Sequence, residues 1–235
     1  MSERFFASPI GDSESVDLTG EEAHHLARVR RIRHGEKVCL FDGSGTECMA
    51  TVRVIQRDRV TLTIDSRSVV SRELPFQLTL ACSPAKGERF RWLVEKATEL
   101  GVTDFVPLLT HRSSEQARSA RADKMDRWVI EGSKQCGRNV LMRVRDPVGW
   151  EEFINAHSEV GLRFVADPSG AALGSIHPHA IAQDTVLAVG PEGGFTAEEL
   201  AAAQARGWKT IRLGKRTLRV ETAAIALVAR VVGDR

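Results

Sequence analysis

The sequence predicts an α/β protein: a small β-barrel followed by a parallel sheet with helices on both faces. Three observations carry that expectation. About the first seventy residues hold short β-branched segments, bounded by Gly or Asp, around a single helix. After Pro75 strand and helix alternate. The strands of this second part are apolar throughout, as strands buried on both faces are.

The first part is read from "RFFA", "KVCLFDG", "ECMATVRVIQ" and "RVTLTIDSRSVV", the last two joined by a short polar "RD" connection that fits a hairpin. Its helix is "LTGEEAHHLARVRR", where Thr19 followed by Glu22 predicts a capping box and Ala23, Leu26 and Ala27 form an apolar stripe. "SRELP", Ser71 to Pro75, reads as a linker. In the second part "FQLTLACS" is a strand, and "GERFRWLVEKATELG" a helix with Phe90, Leu93, Val94, Ala97 and Leu100 on one face and Gly101 as its left-handed cap. Strands follow at "TDFVPLL", "LRFVAD", "TVLAVG" and "KTIRLG". Helices are expected from about Arg118 to Gln135, Gly149 to His157, Thr196 to Arg206 and Val220 to Val232. The last is apolar on nearly every face, which suits either deep burial or half of a dimer interface.

Composition narrows the classes of function. With 42% hydrophobic residues, a chain of 235 residues fills a core without disulfides. Cys39, Cys48, Cys82 and Cys136 form no C-x-x-C pair and are expected as reduced, mostly buried thiols. No apolar run nears the roughly 20 residues of a membrane span, and the start "MSERFFASPIGDSE" carries charge where a leader is apolar, so a cytoplasmic protein is expected. Net charge is only +2, but the cations cluster. "RVRRIRH" holds Arg28, Arg30, Arg31 and Arg33; six Lys or Arg lie between Arg206 and Arg219 without an acid; and Lys86 to Arg145 carries 13 basic against 8 acidic residues. Such patches suit phosphate neutralisation, whereas 6% aromatics with no tyrosine gives little support to a base-stacking platform. His177 and His179 of "HPH" lack a carboxylate partner at useful spacing, and no metal is expected.

Ligands of open α/β sheets bind at the carboxyl ends of strands, where "GPEGGF" sits between the strand "TVLAV" and a helix opening on Thr196 and Glu199, a second capping-box pattern. Gly190, Gly193 and Gly194 do not have the G-x-G-x-x-G spacing, and no G-x-x-x-x-G-K-[ST] occurs, which weakens dinucleotide and P-loop readings. A second such turn, "RLGKRTLRVETAA", follows the next strand. On residues alone, a nucleotide-dependent enzyme and a non-catalytic RNA-binding protein both stay open. Glu221 at a helix start would be favoured by the backbone dipole whatever else it did.

"GPEGGFTAEEL" followed by "LGKRTLRVETAAIAL" resembles the signature of the RsmE family, the 16S ribosomal RNA (uracil-N3)-methyltransferases of the SPOUT class. "RFF", "LTGEEAHHLARV", "HGEKVCLFDGSG", "EKATELGV" and "KQCGR" are similar to that family's pattern in the same order, with Lys134 where an acid is usual before Gln135 and no proline soon after Arg138. The resemblance implies a PUA-like, RNA-binding β-barrel over residues 1–72 and a SPOUT methyltransferase domain over 73–235 with a C-terminal deep trefoil knot. It implies S-adenosyl-L-methionine as cofactor, contacted by Ala166, Asp167, Gly190, Pro191, Glu192, Gly193, Leu213, Gly214, Thr217 and Leu218. It implies 16S rRNA in the small ribosomal subunit as substrate, RNA contacts at Arg28, Arg31, Arg33, Arg112 and Arg138, and a homodimer.

Methylating uracil N3 requires its proton to leave, which puts negative charge on O2 and O4. A proton acceptor and a cation or N–H groups beside those oxygens are the minimum equipment. Arg219 is the first candidate for charge stabilisation and Glu221 for base or orienter; Glu192 and Arg138 are the reserves, either of which could instead hold a loop.

Overall fold

The computed structural model describes residues 3–84, 87–113, 122–172 and 183–233, and the chain divides into two compact units. His177, His179 and the expected start of the helix at Arg118 lie outside the described residues.

The N-terminal unit comprises Met1–Glu73 and Ser133–Leu141. Its strands are β1 (Arg4–Phe6), β2 (Ser15–Thr19), β3 (Lys37–Phe41), β4 (Thr46–Ile55) and β5 (Arg59–Val69), hydrogen-bonded in the order β1-β3-β4-β5-β2. β1 runs parallel to β3 and the other pairs are antiparallel. The expected β4–β5 hairpin is present, closed where the Gln56 N–H donates to the Arg59 carbonyl at 2.8 Å. β2 was not anticipated, although "SVDLT" alternates as a half-buried strand should, with Val16 and Leu18 inward. Inward side chains of all five strands, with Ala23 and Leu26 of the helical segment, make one core.

That helical segment departs from expectation. α1 (Gly20–His24) passes into one π-helical turn, His25–Val29, and Arg31 follows at φ +55°, a conformation uncommon for a non-glycine. Thr19 stands at the N-cap, but its side chain caps nothing. Glu22 cannot complete a box because its carboxylate is drawn elsewhere: it accepts from the Phe6 N–H at 3.2 Å and from the Lys134 ammonium at 2.8 Å. Lys134 is nearly buried; it also lies 3.2 Å from His25 Nδ1 and 5.8 Å from the Phe5 ring centroid. Burial opposes ionisation of Glu47, but hydrogen bonds from Arg72, Asn139 and Arg4 outweigh it and hold that carboxyl below its usual value.

The C-terminal unit comprises Leu74–Gly132 and Met142–Arg235. Its sheet holds β6 (Leu78–Cys82), β7 (Asp104–Leu109), β8 (Arg143–Val144), β9 (Val148–Gly149), β10 (Leu162–Ala172), β11 (Thr185–Val189) and β12 (Lys209–Arg212). The order is β12-β10-β11-β6-β7-β8, with β9 also on β7, and every pair is parallel, as the apolar strands foretold. The helices are α2 (Glu88–Glu99), α3 (Ala122–Cys136), α4 (Trp150–Ala156), α5 (Ala197–Ala205) and α6 (Val220–Val232); the last turn of α3 belongs to the other unit. α2 buries Phe90, Leu93, Val94 and Ala97 and ends before Gly101 at φ +85°. α6 covers most of itself within its own chain, leaving Thr222, Ala226 and Ala229 outward. Cys39, Cys48 and Cys82 are buried free thiols, whereas Cys136 is exposed.

One irregularity shapes the carboxyl edge. β10 pairs with β12 through Ala166↔Ile211 and then Ala171↔Ile211, so residues 167–170 loop out of the ladder and the strand rejoins at the same partner. A Cβ on Gly170 would lie 2.5 Å from the Ile211 nitrogen, closer than any side chain can stand.

At the other end of the sheet Asp104 is a buried carboxylate between Arg143 (2.5 and 2.9 Å) and Arg145 (2.6 Å). Burial alone would raise its pKa, but the two arginines outweigh it and hold the carboxyl below the 3.8 of a free aspartate. A depressed carboxyl stabilises the fold above its unfolded pKa and loses that contribution as pH falls through the folded one. Asp104→Asn is therefore expected to cost about 1–3 kcal/mol at pH 7 in chemical denaturation. The gap from wild type should narrow below about pH 4 as the wild-type carboxyl protonates. A gap independent of pH would show that charge is not what Asp104 contributes.

Candidate functional site

A cavity of about 740 Å³ opens at the carboxyl edge of the C-terminal unit's sheet, where β10, β11 and β12 end side by side. Three loops wall it. The first is the outward loop of β10, contributing Ala166, Asp167 and Pro168. Asp167 organises this loop itself, its Oδ1 accepting from the Ser169 N–H at 2.9 Å and the Ser169 hydroxyl at 2.6 Å.

The second wall is the turn after β11: Gly190, Pro191, Glu192 and Gly194. The Gly194 N–H donates to the Pro191 carbonyl at 2.8 Å, and Gly194 sits at φ +70°. A Cβ on Gly190 would come within 2.9 Å of the buried Phe195 ring, itself 4.6 Å from the Trp150 ring. Glycine is thus required once for space and once for conformation, and the wall there is backbone. The expected second capping box is present: the Glu199 N–H donates to Thr196 Oγ1 at 3.2 Å and the Thr196 N–H to Glu199 Oε2 at 2.8 Å.

The third wall runs from Ile211 to Val220 and ends at Ala223, bringing in Leu213, Gly214, Thr217, Leu218 and Arg219. Arg219 is the N-cap of α6 and exposed; no ion pair holds it among the described residues. Glu221, in the first turn of the same helix, is buried and does not line the cavity. Its charge is felt at the end of β6: burial pushes the Cys82 thiol far above its ordinary pKa, with Glu221 and Glu192 raising it further.

Of the sequence-predicted cofactor residues, the fold gathers Ala166, Asp167, Gly190, Pro191, Glu192, Leu213, Gly214, Thr217 and Leu218 around this cavity; Gly193 stands beside it under the stem of Arg112. Reasoning from sequence missed Lys215 and Arg216 as lining residues and Gly170 as the close approach that shapes the first wall. "DPSG" has turn composition, which was a usable signal for that loop.

The cavity's charge is asymmetric. Arg212, Lys215, Arg216 and Arg219 line it against Asp167 and Glu192, an excess of two positive charges. Two of the arginines expected to contact RNA have partners within the chain. Arg138, in the N-terminal unit, is 3% exposed and bidentate on Glu73 at 2.5 to 3.0 Å. Arg112 spends its guanidinium on the Gly193 carbonyl at 2.6 Å. Arg28, Arg31 and Arg33 are exposed around the π-helical turn. Among the described residues no helix is long and apolar enough to cross a membrane, and no group of three His, Cys, Asp or Glu converges as a metal site would.

Comparison with known proteins agrees with this geometry. Residues 72–232 match a family model described as an RNA methyltransferase domain, and residues 18–65 one described as an RNA methyltransferase PUA domain. The chain is similar to ribosomal RNA small subunit methyltransferase E of Synechocystis, 31% identical over 98% of this chain and 77% of that protein. Among solved structures it is similar to ribosomal RNA small subunit methyltransferase E of Neisseria gonorrhoeae bound to S-adenosylmethionine. That structure is 30% identical over 97% of this chain and 96% of the other, with a TM-score of 0.87. A Legionella pneumophila methyltransferase in complex with the same cofactor is 29% identical over 98% and 97%, with a TM-score of 0.88. The matched domains, the glycine-cleared walls and the likeness along nearly the whole length lead to one conclusion: the chain belongs to the ribosomal RNA small subunit methyltransferase E family.

Proposed function

We propose that this protein uses S-adenosyl-L-methionine to methylate N3 of one uridine in 16S rRNA of the small ribosomal subunit. The observation that carries the reading is the cavity walled by the turns Gly190–Gly194 and Leu213–Arg219. Its residues fit the cofactor. Glycines clear the backbone at Gly190 and Gly194, and Asp167 and Glu192 set carboxylates beside a ligand carrying a sulfonium and an ammonium. Ala166, Asp167, Gly190 to Gly193, Leu213, Gly214, Thr217 and Leu218 are the residues that would hold it. When bound, S-adenosylmethionine supplies an electrophilic methyl group, so the protein's task is alignment and exclusion of water.

The chain's own residues then act on the base. Glu221, buried behind the lining, orients the group that accepts the N3 proton, and Arg219, exposed at the cavity edge, faces the negative charge developing on O2 and O4. The cationic excess of the lining suits an anionic substrate better than a free nucleoside, since the cofactor is itself cationic. Residues 1–72 act as the PUA-like RNA-binding domain, with Arg28, Arg31 and Arg33 on phosphates, and 73–235 as the SPOUT methyltransferase domain. Within the latter, the path from β12 at the sheet edge through the 213–219 loop and back into α6 beside β6 and β11 supports threading as a deep trefoil knot. The outward small residues Thr222, Ala226 and Ala229 of α6 support a homodimer, and membership of a ribosomal RNA methyltransferase family supports a cytoplasmic enzyme.

Methyl transfer from labelled S-adenosylmethionine to small subunits lacking this modification, with the product nucleoside identified by mass spectrometry, tests the reading. A single 3-methyluridine is expected. Methylation of a different RNA would keep the chemistry and change the substrate, while binding of RNA without transfer would favour a non-catalytic role. Arg219→Ala and Glu221→Gln should each lower turnover by about 10²–10⁴, with S-adenosylhomocysteine affinity changed far less. Equal losses in both quantities would reassign them to cofactor binding. Sedimentation should give a species of twice the chain mass, and a fully active monomer would contradict the dimer.

A further inference from the structure

We infer that Arg112 is a positioning residue for the cofactor-facing turn, not a contact to RNA. The inference rests on reading the cavity as the S-adenosylmethionine site. Arg112 Nη1 donates to the Gly193 carbonyl at 2.6 Å and lies 3.5 Å from that of Phe195. Its aliphatic stem lies over Gly193, where an added Cβ would come within 3.2 Å of Arg112 Cδ. One cation thus clamps the turn from outside, while Gly190 and Gly194 face the cavity.

The clamp is itself anchored. Immediately after it, Ser113 Oγ accepts from the Thr110 N–H at 2.8 Å and lies 3.0 Å from Ser83 Oγ; Ser83 and Thr110 are both buried. The Ser83 N–H donates to the carbonyl of Val189, the residue before Gly190, at 3.0 Å. Immediately before it, the His111 N–H donates to Glu199 Oε1 at 2.8 Å, while Glu199 Oε2 caps Thr196. The Glu199 carbonyl accepts from Trp150 Nε1 at 2.9 Å. The loop 110–113 and the turn 190–196 therefore form a closed circuit of hydrogen bonds. Arg112 is the member that reaches the middle of the turn, between its two ends. A guanidinium holding a carbonyl fixes the orientation of the peptide, and with it the direction in which the neighbouring N–H and C=O groups face the cavity.

The test is calorimetric titration of S-adenosylhomocysteine into wild type, Arg112→Ala and Arg112→Lys, beside steady-state methylation of unmodified small subunits and melting of each protein. Arg112→Ala should weaken S-adenosylhomocysteine by about tenfold, the size of one lost charged hydrogen bond, and raise KM for S-adenosylmethionine alike. KM for subunits and its salt dependence should stay within about twofold, well inside the loss expected when a phosphate contact goes. Arg112→Lys, with a charge but no planar fork, should recover only part of the cofactor affinity. Unchanged S-adenosylhomocysteine affinity with a raised subunit KM and a shallower salt dependence would overturn the inference in favour of an RNA contact. Parallel loss of both affinities and of melting temperature would overturn it in favour of a purely structural role. If wild type itself binds no S-adenosylhomocysteine, the cofactor reading fails first and this one with it.

Discussion

The cavity depends on one contact between two stretches of backbone. Where β10 rejoins β12, Gly170 passes the Ile211 peptide so closely that a methyl group would stand 2.5 Å from its nitrogen. Because both Ala166 and Ala171 pair with Ile211, the residues between them must leave the sheet, and they leave it toward the cavity. Asp167 and Pro168 thus reach the cavity wall because a glycine allows the strand to close behind them. The turns at Gly190–Gly194 and Leu213–Arg219 complete a site built largely of main chain, which needs little side-chain chemistry if the reactive group arrives with the cofactor.

Cations divide into two groups by what they touch. Lys134, Arg138 and Arg112 are committed within the fold, to Glu22, Glu73 and the Gly193 carbonyl. Arg219, Lys215 and Arg216 stand exposed along the cavity, and Arg28, Arg31 and Arg33 around the π-helical turn. Lys134, where the family pattern has an acid, makes an internal pair that also positions His25 and the helix leading to those arginines. Clustering of charge in a sequence therefore overstates the surface available to RNA. Part of it is already spent on partners within the fold, at buried Arg138 and at exposed Arg112 alike, and is not free to neutralise phosphates.

What was legible in the sequence was local or periodic. The Thr196–Glu199 box closes within one turn, so its two residues predict it; the Thr19–Glu22 pair has the same spacing but fails because Lys134 and the Phe6 N–H, distant in sequence, take the Glu22 carboxylate. Parallel strands announced themselves by continuous apolar runs, and α6 matched its expected span of Val220–Val232. β2 escaped notice because five residues give too few alternations to count, and the outward loop of β10 because register against β12 is set across the sheet. Arg112 and Arg138 looked available for RNA for the same reason: their partners are 81 and 65 residues away.

The central claim is that a backbone cradle, opened by Gly170, receives the cofactor. It is tested most directly by titrating S-adenosylhomocysteine into wild type and Gly170→Ala, at a temperature where both are folded by circular dichroism. The account predicts saturable binding at one site per chain for wild type, and a loss of about tenfold or more in the variant, since a strand forced away from Ile211 displaces Asp167 and Pro168. Undiminished affinity in the folded variant would show that the crossing of β10 over β12 does not shape the site.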